Sequence, residues 1–477
     1  MAVSSAGDFN NDGVDDLIVA ASLHDGLGGV NSGAAYVIFG GQGLNGTFNL
    51  GDMVGLGGAD TFQGFKLSGE SALASGDRAG FSVSNLGDVN GDGIDDLAVG
   101  AIYANEAAVN TNHGKVYVIF GGQGLTGSLS LGNVGGSIQG IQFVGEAPND
   151  FAAAVAGAGD VNGDGINDIL VGGRNNDDGA IDAGSAYVIF GASSLTGTVG
   201  LASVGTAVSG FSLLGEAASD RAGISVSSAG DVNGDGFDDL AVGADLNDDG
   251  PGTNPGAAYL IFGGDFSNAV TIQGTAGDDT GATALNGTAS TDVIVAGLGN
   301  DEITNIGAND VARAGAGDDT IEITSETFAK IDGGTGQDTL LVSGDVDMTN
   351  ISNLSIQSIE RIDLSDGTAN TLTLNLEDVF DLSETVNALF ADANSHNSLV
   401  IDGDDPANIG GLSDRVNLEG AAGGHPHDGG AWAASATAGG QTTINGETYN
   451  VFDFTSGVDI LASVAIHEDV TPPVFIA

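Results

Sequence analysis

Gly87-Asp88-Val89-Asn90-Gly91-Asp92-Gly93-Ile94-Asp95-Asp96-Leu97 is the stretch that decides the fold of this 477-residue chain, because the chain contains it in four versions. The other three are GDFNNDGVDDL from Gly7, GDVNGDGINDI from Gly159 and GDVNGDGFDDL from Gly230. Their leading aspartates, Asp8, Asp88, Asp160 and Asp231, stand 80, 72 and 71 residues apart. A segment that recurs at such a period indicates one supersecondary unit in each copy.

A second segment follows each copy and reads as a strand that is buried on both faces. It is GAAYVIFGG from Gly33, GKVYVIFGG from Gly114, GSAYVIFGA from Gly184 and GAAYLIFGG from Gly256. Side chains alternate along a strand, so Tyr36 and Ile38 share one apolar face while Val37 and Phe39 share the other. Such a strand needs a sheet on either side, which favours small sheets stacked around an axis as in a propeller.

A third segment follows the second in three copies only. It reads FKLSGE from Phe65, IQFVGE from Ile141 and FSLLGE from Phe211. Each complete repeat is therefore predicted to contain several short strands, and residues 1–268 are predicted to form propeller-type blades.

The repeat period of the sequence changes after the fourth copy. Aspartates recur every nine residues in Gly-rich surroundings, at Asp292, Asp301, Asp310 and Asp319, and a further one follows at Asp338. This period predicts a parallel β-roll over residues 269–345. Period-2 segments such as Thr371–Leu376 extend the β prediction over residues 346–477, with one helix predicted at 377–390. The fold class is therefore all-β.

Composition limits the function. The chain has 65 Asp and Glu against 9 Lys and Arg, a formal charge of −56, which excludes nucleic acid as a partner. Apolar residues make up 41% of the chain, so the disorder expected of most highly charged sequences is not predicted. No stretch reaches the roughly 18 apolar residues of a membrane span, so no transmembrane segment is predicted. Cysteine is absent, so neither disulfides nor thiolate metal sites stabilise the fold.

The repeated Asp-rich loops have the pattern of calcium sites. In the second copy, positions 1, 3, 5 and 9 supply Asp88, Asn90, Asp92 and Asp96, and Ile94 at position 7 offers its carbonyl. Calcium takes six to eight oxygen ligands, and a Gly at position 6 permits the tight turn. The equivalent predicted ligands in the other copies are Asp8, Asn10, Asp12, Val14 and Asp16; Asp160, Asn162, Asp164, Ile166 and Asp168; and Asp231, Asn233, Asp235, Phe237 and Asp239.

Two other interpretations of these loops are possible from their residues. A helix-loop-helix calcium site needs Glu at position 12, where the chain has Val19, Val99, Val171 and Val242. Alternatively, Asn-Gly and Asp-Gly are simply hairpin residues. A hairpin does not need three aspartates at alternate positions in four copies, so calcium is the preferred interpretation.

The loops followed by YVIFGG resemble the FG-GAP repeats of the integrin alpha-chain propeller over residues 1–268. The resemblance implies one blade per repeat, with calcium on the loop residues named above. Related propellers usually have seven blades, whereas this chain has four repeats and the first begins in mid-blade. Three explanations remain open: a small ring, a ring completed by partner chains, or a longer polypeptide.

The nine-residue copies, GAGDDTIE and GGTGQDTLL above all, resemble the RTX calcium repeats of bacterial proteins exported by type I secretion. This resemblance implies calcium at Asp292, Asp301, Asp310, Asp319 and Asp338. The segments from Ile359 and Thr442 look like the C-terminal region of large RTX adhesins, which implies a C-terminal secretion signal within 346–477. A secreted or cell-surface location, in a bacterium, is the expectation.

Three functions follow. The first is a calcium-binding adhesin or extracellular matrix protein that folds on calcium and binds an extracellular protein or glycan. The second is a structural subunit that binds copies of itself in a filament or surface layer. The third, a calcium-dependent phosphoester hydrolase, needs cationic clamps near the metal, and the nine Lys and Arg are scattered. We therefore predict that the chain is not an enzyme.

Overall fold

The computed structural model describes residues 2–25, 29–41, 46–53, 62–70, 76–105, 111–248, 254–375, 378–379, 382, 397–403, 414–419, 431–434, 441–444, 447–456 and 459–476. The chain forms two compact units. The first contains residues 1–162, 166–232 and 238–264, and the second contains 163–165, 233–237 and 265–477. No helix among the described residues has both the length and the apolar character to cross a membrane.

The first unit consists of short strands joined mostly as antiparallel meanders. The strands are β1 (Val3–Gly7), β2 (Asp16–Ala21), β3 (Ala34–Ile38), β4 (Gly64–Ser68), β5 (Ala79–Gly87), β6 (Asp96–Ala101), β7 (Lys115–Ile119), β8 (Gly127–Ser130), β9 (Gly140–Val144), β10 (Ala152–Gly159), β11 (Asp168–Gly173), β12 (Ser185–Ile189), β13 (Gly197–Gly200), β14 (Gly210–Leu214), β15 (Ala222–Gly230), β16 (Asp239–Ala244) and β17 (Ala257–Ile261). Three 3-10 helices lie at Leu50–Asp52, Leu131–Asn133 and Leu201–Ser203.

Each repeat forms one blade, and the first blade has all four strands, although its first strand, at 5 residues, is shorter than the 9-residue β5 of the second. The blades are β1-β2-β3-β4, β5-β6-β7-β9, β10-β11-β12-β14 and the three-stranded β15-β16-β17. Two blades gain a fifth strand, because β8 pairs in parallel with β4, and β13 pairs in parallel with β9. The fifth strand of a blade is therefore supplied by the repeat that follows it in the chain.

The blades stack through layers of apolar side chains. We call the face of a blade toward the following blade its front, and the opposite face its back. Val118 on the front of the second blade and Val171 on the back of the third belong to one buried cluster. A methyl group added at Gly172 would lie 2.0 Å from the carbonyl oxygen of Gly223 in the fourth blade, which shows how closely the backbones approach. Burial on both faces of the YVIF strand is thus confirmed for the second and third blades, whereas Leu260 and Phe262 of the fourth copy are each 51% exposed.

A tyrosine hydroxyl also links neighbouring blades. Tyr117 of the second blade donates a hydrogen bond to Glu70, which follows the last strand of the first blade, at 2.7 Å. Tyr259 of the fourth blade donates to Glu216, which follows the last strand of the third, at 2.5 Å. The Tyr of YVIF and the Glu of the third repeated segment therefore form one contact between successive blades.

The second unit contains mainly parallel sheets. Its strands are β18 (Ile272–Gln273), β19 (Leu285–Asn286), β20 (Val293–Leu298), β21 (Glu302–Ile306), β22 (Val311–Ala316), β23 (Thr320–Ile323), β24 (Lys330–Asp332), β25 (Thr339–Val342), β26 (Val346–Asp347), β27 (Ile356–Gln357), β28 (Arg361–Asp363), β29 (Thr371–Leu374), β30 (Asn397–Asp402), β31 (Arg415–Glu419), β32 (Ala431–Ala434), β33 (Gln441–Ile444), β34 (Glu447–Ser456), β35 (Asp459–His467) and β36 (Thr471–Ile476). Two 3-10 helices lie at Met348–Asn350 and Asn353–Ser355.

The nine-residue period produces a roll with two strands per coil. Val293 pairs with Val311, and Ile303 pairs with Ile321, so that residues 18 positions apart become neighbours in a sheet. The inward side chains, Ile303 and Ile321 among them, form one buried cluster that continues to Val470. The predicted parallel roll fits these sheets, and the all-β fold class is confirmed.

The region after residue 345 continues the pairing of the roll, since β25 pairs with β28 and β28 with β30, all in parallel. The domain boundaries at 268 and 345 remain predictions from the composition and repeat period of the sequence. Most of the predicted helix at 377–390 lies outside the described residues, although Asp378, Val379 and Leu382 within it are helical.

Candidate metal site in the blade loops

The four repeated loops connect the first and second strands of each blade. The glycine at position 6 has a positive φ in all four, at +80° for Gly13, +81° for Gly93, +90° for Gly165 and +84° for Gly236. Only glycine adopts this conformation without a steric cost. The turn predicted from the sequence is therefore present in every blade.

The leading aspartate organises the turn. Asp88 Oδ1 accepts the backbone N–H groups of Gly91 at 2.7 Å and Asp92 at 3.1 Å, and its Oδ2 accepts that of Gly93 at 2.7 Å. Asp8 accepts the N–H groups of Asp12 and Gly13 in the same way, at 2.9 and 2.8 Å. These bonds hold the loop backbone in a tight curl around the carboxylate.

The aspartate at position 9 attaches the loop to the sheet. Asp96 Oδ2 accepts the N–H of Val89 at 3.0 Å, and its Oδ1 accepts the N–H of Gly121, which follows the YVIF strand, at 3.0 Å. The same two contacts recur at Asp168 in the third blade and at Asp239 in the fourth. These residues are therefore both predicted ligands and fold-determining acceptors.

Carboxylates within one loop lie close enough to repel each other. Burial raises the pKa of Asp96 to about 8, and the charges of Asp88 and Asp92 add to the increase. Burial likewise raises the pKa of Asp16 to about 7, with smaller increases from Asp12 and Asp8. Hydrogen bonds from backbone N–H groups oppose the shift at both residues. Positions 1, 5 and 9 thus share one small volume in these two loops.

Two oxygen atoms of the first loop suit a cation. Asn10 Oδ1 and Asp16 Oδ2 are buried and accept no hydrogen bond in the structure. Buried oxygen atoms are normally satisfied, and a calcium ion takes carboxylate and amide oxygens as its ligands. The residues present therefore fit a calcium ion at this loop.

The structure does not gather a complete ligand cage. Within the described part of the chain, no group of three or more Asp, Glu, His or Cys side chains is placed to hold a metal. The carboxylates instead face backbone N–H groups, as when Asp12 and Asp92 accept the N–H groups of Val14 and Ile94 at position 7, both at 3.1 Å. Two carboxylates about 4 Å apart repel by roughly 4 kcal/mol at an effective dielectric near 20, a repulsion that a bound cation would remove. The ligand assignments in all four loops remain predictions.

The residue at position 8 of the loop makes a contact with the preceding blade that the sequence pattern did not predict. Asp95 Oδ2 accepts the backbone N–H of Asp8 in the preceding blade at 2.9 Å, and Asp238 accepts that of Asp160 at 2.7 Å. Burial raises the pKa of Asp95 to about 6. The signal for this contact is the Asp-Asp doublet at the end of the motif, of which only the second residue is a predicted ligand.

The aspartates of the roll lie in two ladders. Each Oδ1 accepts the backbone N–H of the aspartate one coil earlier, from Asp301 to Asp279 at 2.7 Å, Asp319 to Asp301 at 2.7 Å and Asp338 to Asp319 at 2.9 Å. On the other side, Asp310 accepts the N–H of Asp292 at 2.8 Å. The nine-residue period therefore places each aspartate where its carboxylate accepts a backbone N–H group of the preceding coil.

The two ladders differ in their remaining oxygens. Oδ2 of Asp301, Asp319 and Asp338 is buried without a hydrogen-bond partner, and burial raises the pKa of Asp319 to about 7 and of Asp338 to about 8. Asp292 Oδ2 instead accepts from Thr288, whose side-chain hydrogen bond lowers the pKa of Asp292. Asp310 Oδ2 accepts the N–H of Gly307 at 2.6 Å. Calcium at the five roll aspartates remains a prediction, with open oxygens in the first ladder only.

These shifts predict the pH dependence of the calcium-free chain. The aspartates with raised pKa keep protons in the folded state up to about pH 6 to 8, but lose them near 3.8 when unfolded. The folded state then binds more protons, so its stability decreases as the pH rises through this window. In chelator, we expect the thermal midpoint to fall between about pH 5 and pH 8, because each ionisation now leaves an uncompensated buried charge.

The control for this experiment is the same series in high salt, which screens the long-range repulsion of the anionic surface but acts weakly on buried groups. Circular dichroism melts would measure both series. A midpoint that stays constant or rises from pH 5 to pH 8 in chelator contradicts the prediction.

Comparison with known proteins agrees with the blade pattern. Residues 2–38, 79–119 and 222–261 match the FG-GAP repeat, and each match runs from the first to the third strand of a blade. Integrin alpha-PS5 of Drosophila melanogaster is 31% identical over 173 residues, and Integrin alpha-5 of Xenopus laevis is 30% identical over 173 residues. Each match covers 35% of this chain and 14% of the relative, so the chain spans only a small part of these proteins. The chain therefore carries FG-GAP repeats and is similar, over about a third of its length, to integrin alpha chains.

Proposed function

We propose that the chain is a secreted, calcium-binding protein of the extracellular adhesion type, in which calcium bound by the four blade loops stabilises the folded state. The observation that carries the proposal is the pair of buried, unpartnered oxygens, Asn10 Oδ1 and Asp16 Oδ2, in a loop that holds three mutually repelling carboxylates. A divalent cation would bind both oxygens and neutralise the repulsion between the carboxylates.

The charge of the chain supports the same proposal. A formal charge of −56 opposes compaction through self-repulsion. Calcium reaches millimolar levels outside cells, where sites of modest affinity are filled, and metal binding of this kind contributes directly to folding. The similarity to integrin alpha chains supports an extracellular role with a protein or glycan ligand. We also propose that the aspartate ladders of the roll bind calcium as RTX repeats do. The proposal includes a bacterial origin and a secretion signal in the C-terminal region.

The experiment that tests the proposal is thermal unfolding of the whole chain in millimolar calcium and in excess chelator. A second measurement follows the attachment of chain-coated beads to cells, which should require calcium. A calcium-stabilised chain whose beads never attach to any cell would keep the metal proposal and overturn the adhesion part.

Self-assembly is a second candidate because the two outermost blade faces are open. Val3 and Leu17 on the back of the first blade are 66% and 41% exposed, and Leu260 on the front of the fourth is 51% exposed. Val188, which occupies the position of Leu260 in the third blade, is fully buried. At Gly243, unlike Gly172, the atoms nearest to an added methyl group all belong to Ser225 of the same blade. The front of the fourth blade is therefore an exposed apolar face that would pack against the equally exposed back of the first blade in a second copy.

Head-to-tail pairing predicts a specific result for charged variants. Val3→Asp and Leu260→Asp should each weaken self-association by more than about a hundredfold, because the carboxylate would be buried without a partner. An equal mixture of the two variants should form a heterodimer, since each retains the face that the other needs. Sedimentation velocity with calcium present measures both effects. A wild-type chain that stays monomeric at high concentration, or a Val3→Asp chain that still self-associates, contradicts this arrangement.

A further inference from the structure

The fourth blade lacks a segment that covers the same place in the other blades. In the second blade, Leu131 of the insert between β7 and β9 is buried in one cluster with Tyr117 and Ile119. In the third blade, Leu201 is buried in the same way with Tyr187 and Ile189. Among the described residues, the fourth blade has no equivalent insert, because β17 and Gly264 are followed directly by the second unit.

A small apolar cleft lies at this uncovered place. Tyr259 and Ile261 of β17, which correspond to the covered pairs, line it together with Leu213 of β14 and Val242 of β16. Its volume is about 140 Å³. A protein cavity of about 150 Å³ lined by aliphatic and aromatic side chains can hold benzene, so the cleft has room for one branched aliphatic side chain.

The strand beside the cleft has a free hydrogen-bonding edge. Among the described strands, β14 pairs only with β12, whereas β4 and β9 at the same position also carry β8 and β13. Without a neighbouring strand, Leu214 of β14 is 51% exposed, whereas Val144 at the same position of β9 is buried. An unpaired edge of this kind offers N–H and C=O groups to an incoming strand.

The two occupied sites show what fits the open one. Gly127-Ser128-Leu129-Ser130 pairs in parallel with β4 and is followed by the buried Leu131. Gly197-Thr198-Val199-Gly200 pairs in parallel with β9 and is followed by the buried Leu201. Both segments are uncharged and share the pattern Gly, Ser or Thr, aliphatic, small residue, Leu.

We propose that the edge of β14 and the adjacent cleft bind an extended peptide of this pattern from a partner protein. The peptide adds in parallel to β14, with its Gly opposite Phe211 and its first aliphatic residue opposite Leu213, as in the two internal pairings. Its final Leu enters the cleft against Tyr259 and Ile261. Strand addition of this type obtains affinity from backbone hydrogen bonds and specificity from the pocket. The partner segment is uncharged or cationic, because Glu216 lines the cleft.

The test uses a fluorescent peptide with the sequence of residues 126–132, Thr-Gly-Ser-Leu-Ser-Leu-Gly, and fluorescence anisotropy with the whole chain in calcium. We expect saturable binding that weakens by about tenfold or more when the second leucine of the peptide is replaced by alanine, since that side chain is the one buried in the cleft. Methylating the backbone nitrogens one at a time should abolish binding only at alternate residues, because only every second N–H faces the edge of β14.

Variants of the chain provide the matched control. Ile261→Trp should fill the cleft and remove peptide binding, whereas Ile181→Trp, at a position 71% exposed elsewhere on the third blade, should leave it unchanged. An unaltered circular dichroism melt confirms that both variants fold. The proposal is overturned by absence of binding at millimolar peptide, by equal binding of the alanine peptide, or by a methylation pattern without alternation. Because calcium binding is measured separately, these outcomes do not bear on the proposed function.

Discussion

Removal of calcium is expected to lower the thermal midpoint of the first unit by roughly 20 °C or more. Each site that binds only the folded state contributes about 2.7 kcal/mol when free calcium is 100 times its dissociation constant. Four such sites together contribute about 11 kcal/mol, which is comparable with the whole stability of a typical domain. A change of 1 kcal/mol shifts the midpoint of a unit of this size by about 2 to 4 °C.

The physical reason is that three carboxylates lie close together in the first two loops, and that a cation bound by each loop would neutralise their repulsion. In the first loop, the cation would also supply the partner that Asp16 Oδ2 lacks. Differential scanning calorimetry in millimolar calcium and in chelator measures the effect, and the same melts in magnesium are the control. Magnesium demands near-ideal octahedral geometry and retains its waters, so it should stabilise the chain far less. A first unit that melts at the same temperature in calcium and chelator would refute the calcium proposal.

Substitution of Asp96 by alanine is expected to lower the free energy of unfolding by about 5 to 9 kcal/mol in calcium. The variant leaves the N–H groups of Val89 and Gly121 without their acceptor, and an unsatisfied buried donor costs about 1 to 3 kcal/mol. It also removes a ligand from the second loop, where a filled site contributes about 2.7 kcal/mol under the conditions above. Urea unfolding in calcium and in chelator separates the two contributions, because only the second depends on the metal.

Asp95→Ala is the matched control for this variant. Asp95 is the neighbouring residue, is also buried, and accepts the N–H of Asp8 at 2.9 Å, but it is not among the predicted ligands. Its loss should destabilise the contact between the first two blades in calcium and in chelator alike. If the two variants lose the same amount of calcium-dependent stability, Asp96 is not a ligand and the assignment of position 9 fails.

The backbone contacts of position 9 explain how a metal bound by this surface loop would stabilise a whole blade. Asp96 joins the loop at Val89 to the end of the YVIF strand at Gly121. Asp95 joins the same loop to the loop of the preceding blade. Metal binding at one loop would therefore hold two strands of one blade together and bring its neighbour into register.

The sequence by itself determined the features that depend on local pattern. Alternation of apolar residues in YVIF predicted a strand buried on both faces, and the stacked clusters confirm it for the second and third blades. Glycine at position 6 predicted the turn of each loop, since only Gly takes a positive φ freely. The period of nine predicted the parallel roll because it matches half a coil.

Only the tertiary structure decided which groups meet across repeats. Nothing local in Gly127–Ser130 shows that it pairs with β4 of the preceding blade, because a parallel pairing over some 60 residues depends on how the blades stack. The same holds for the backbone N–H of Asp8 at Asp95, and for the open edge of β14 beside Tyr259. The sequence specifies each blade through short-range periodicity, whereas contacts between blades arise only when the apolar faces are buried together.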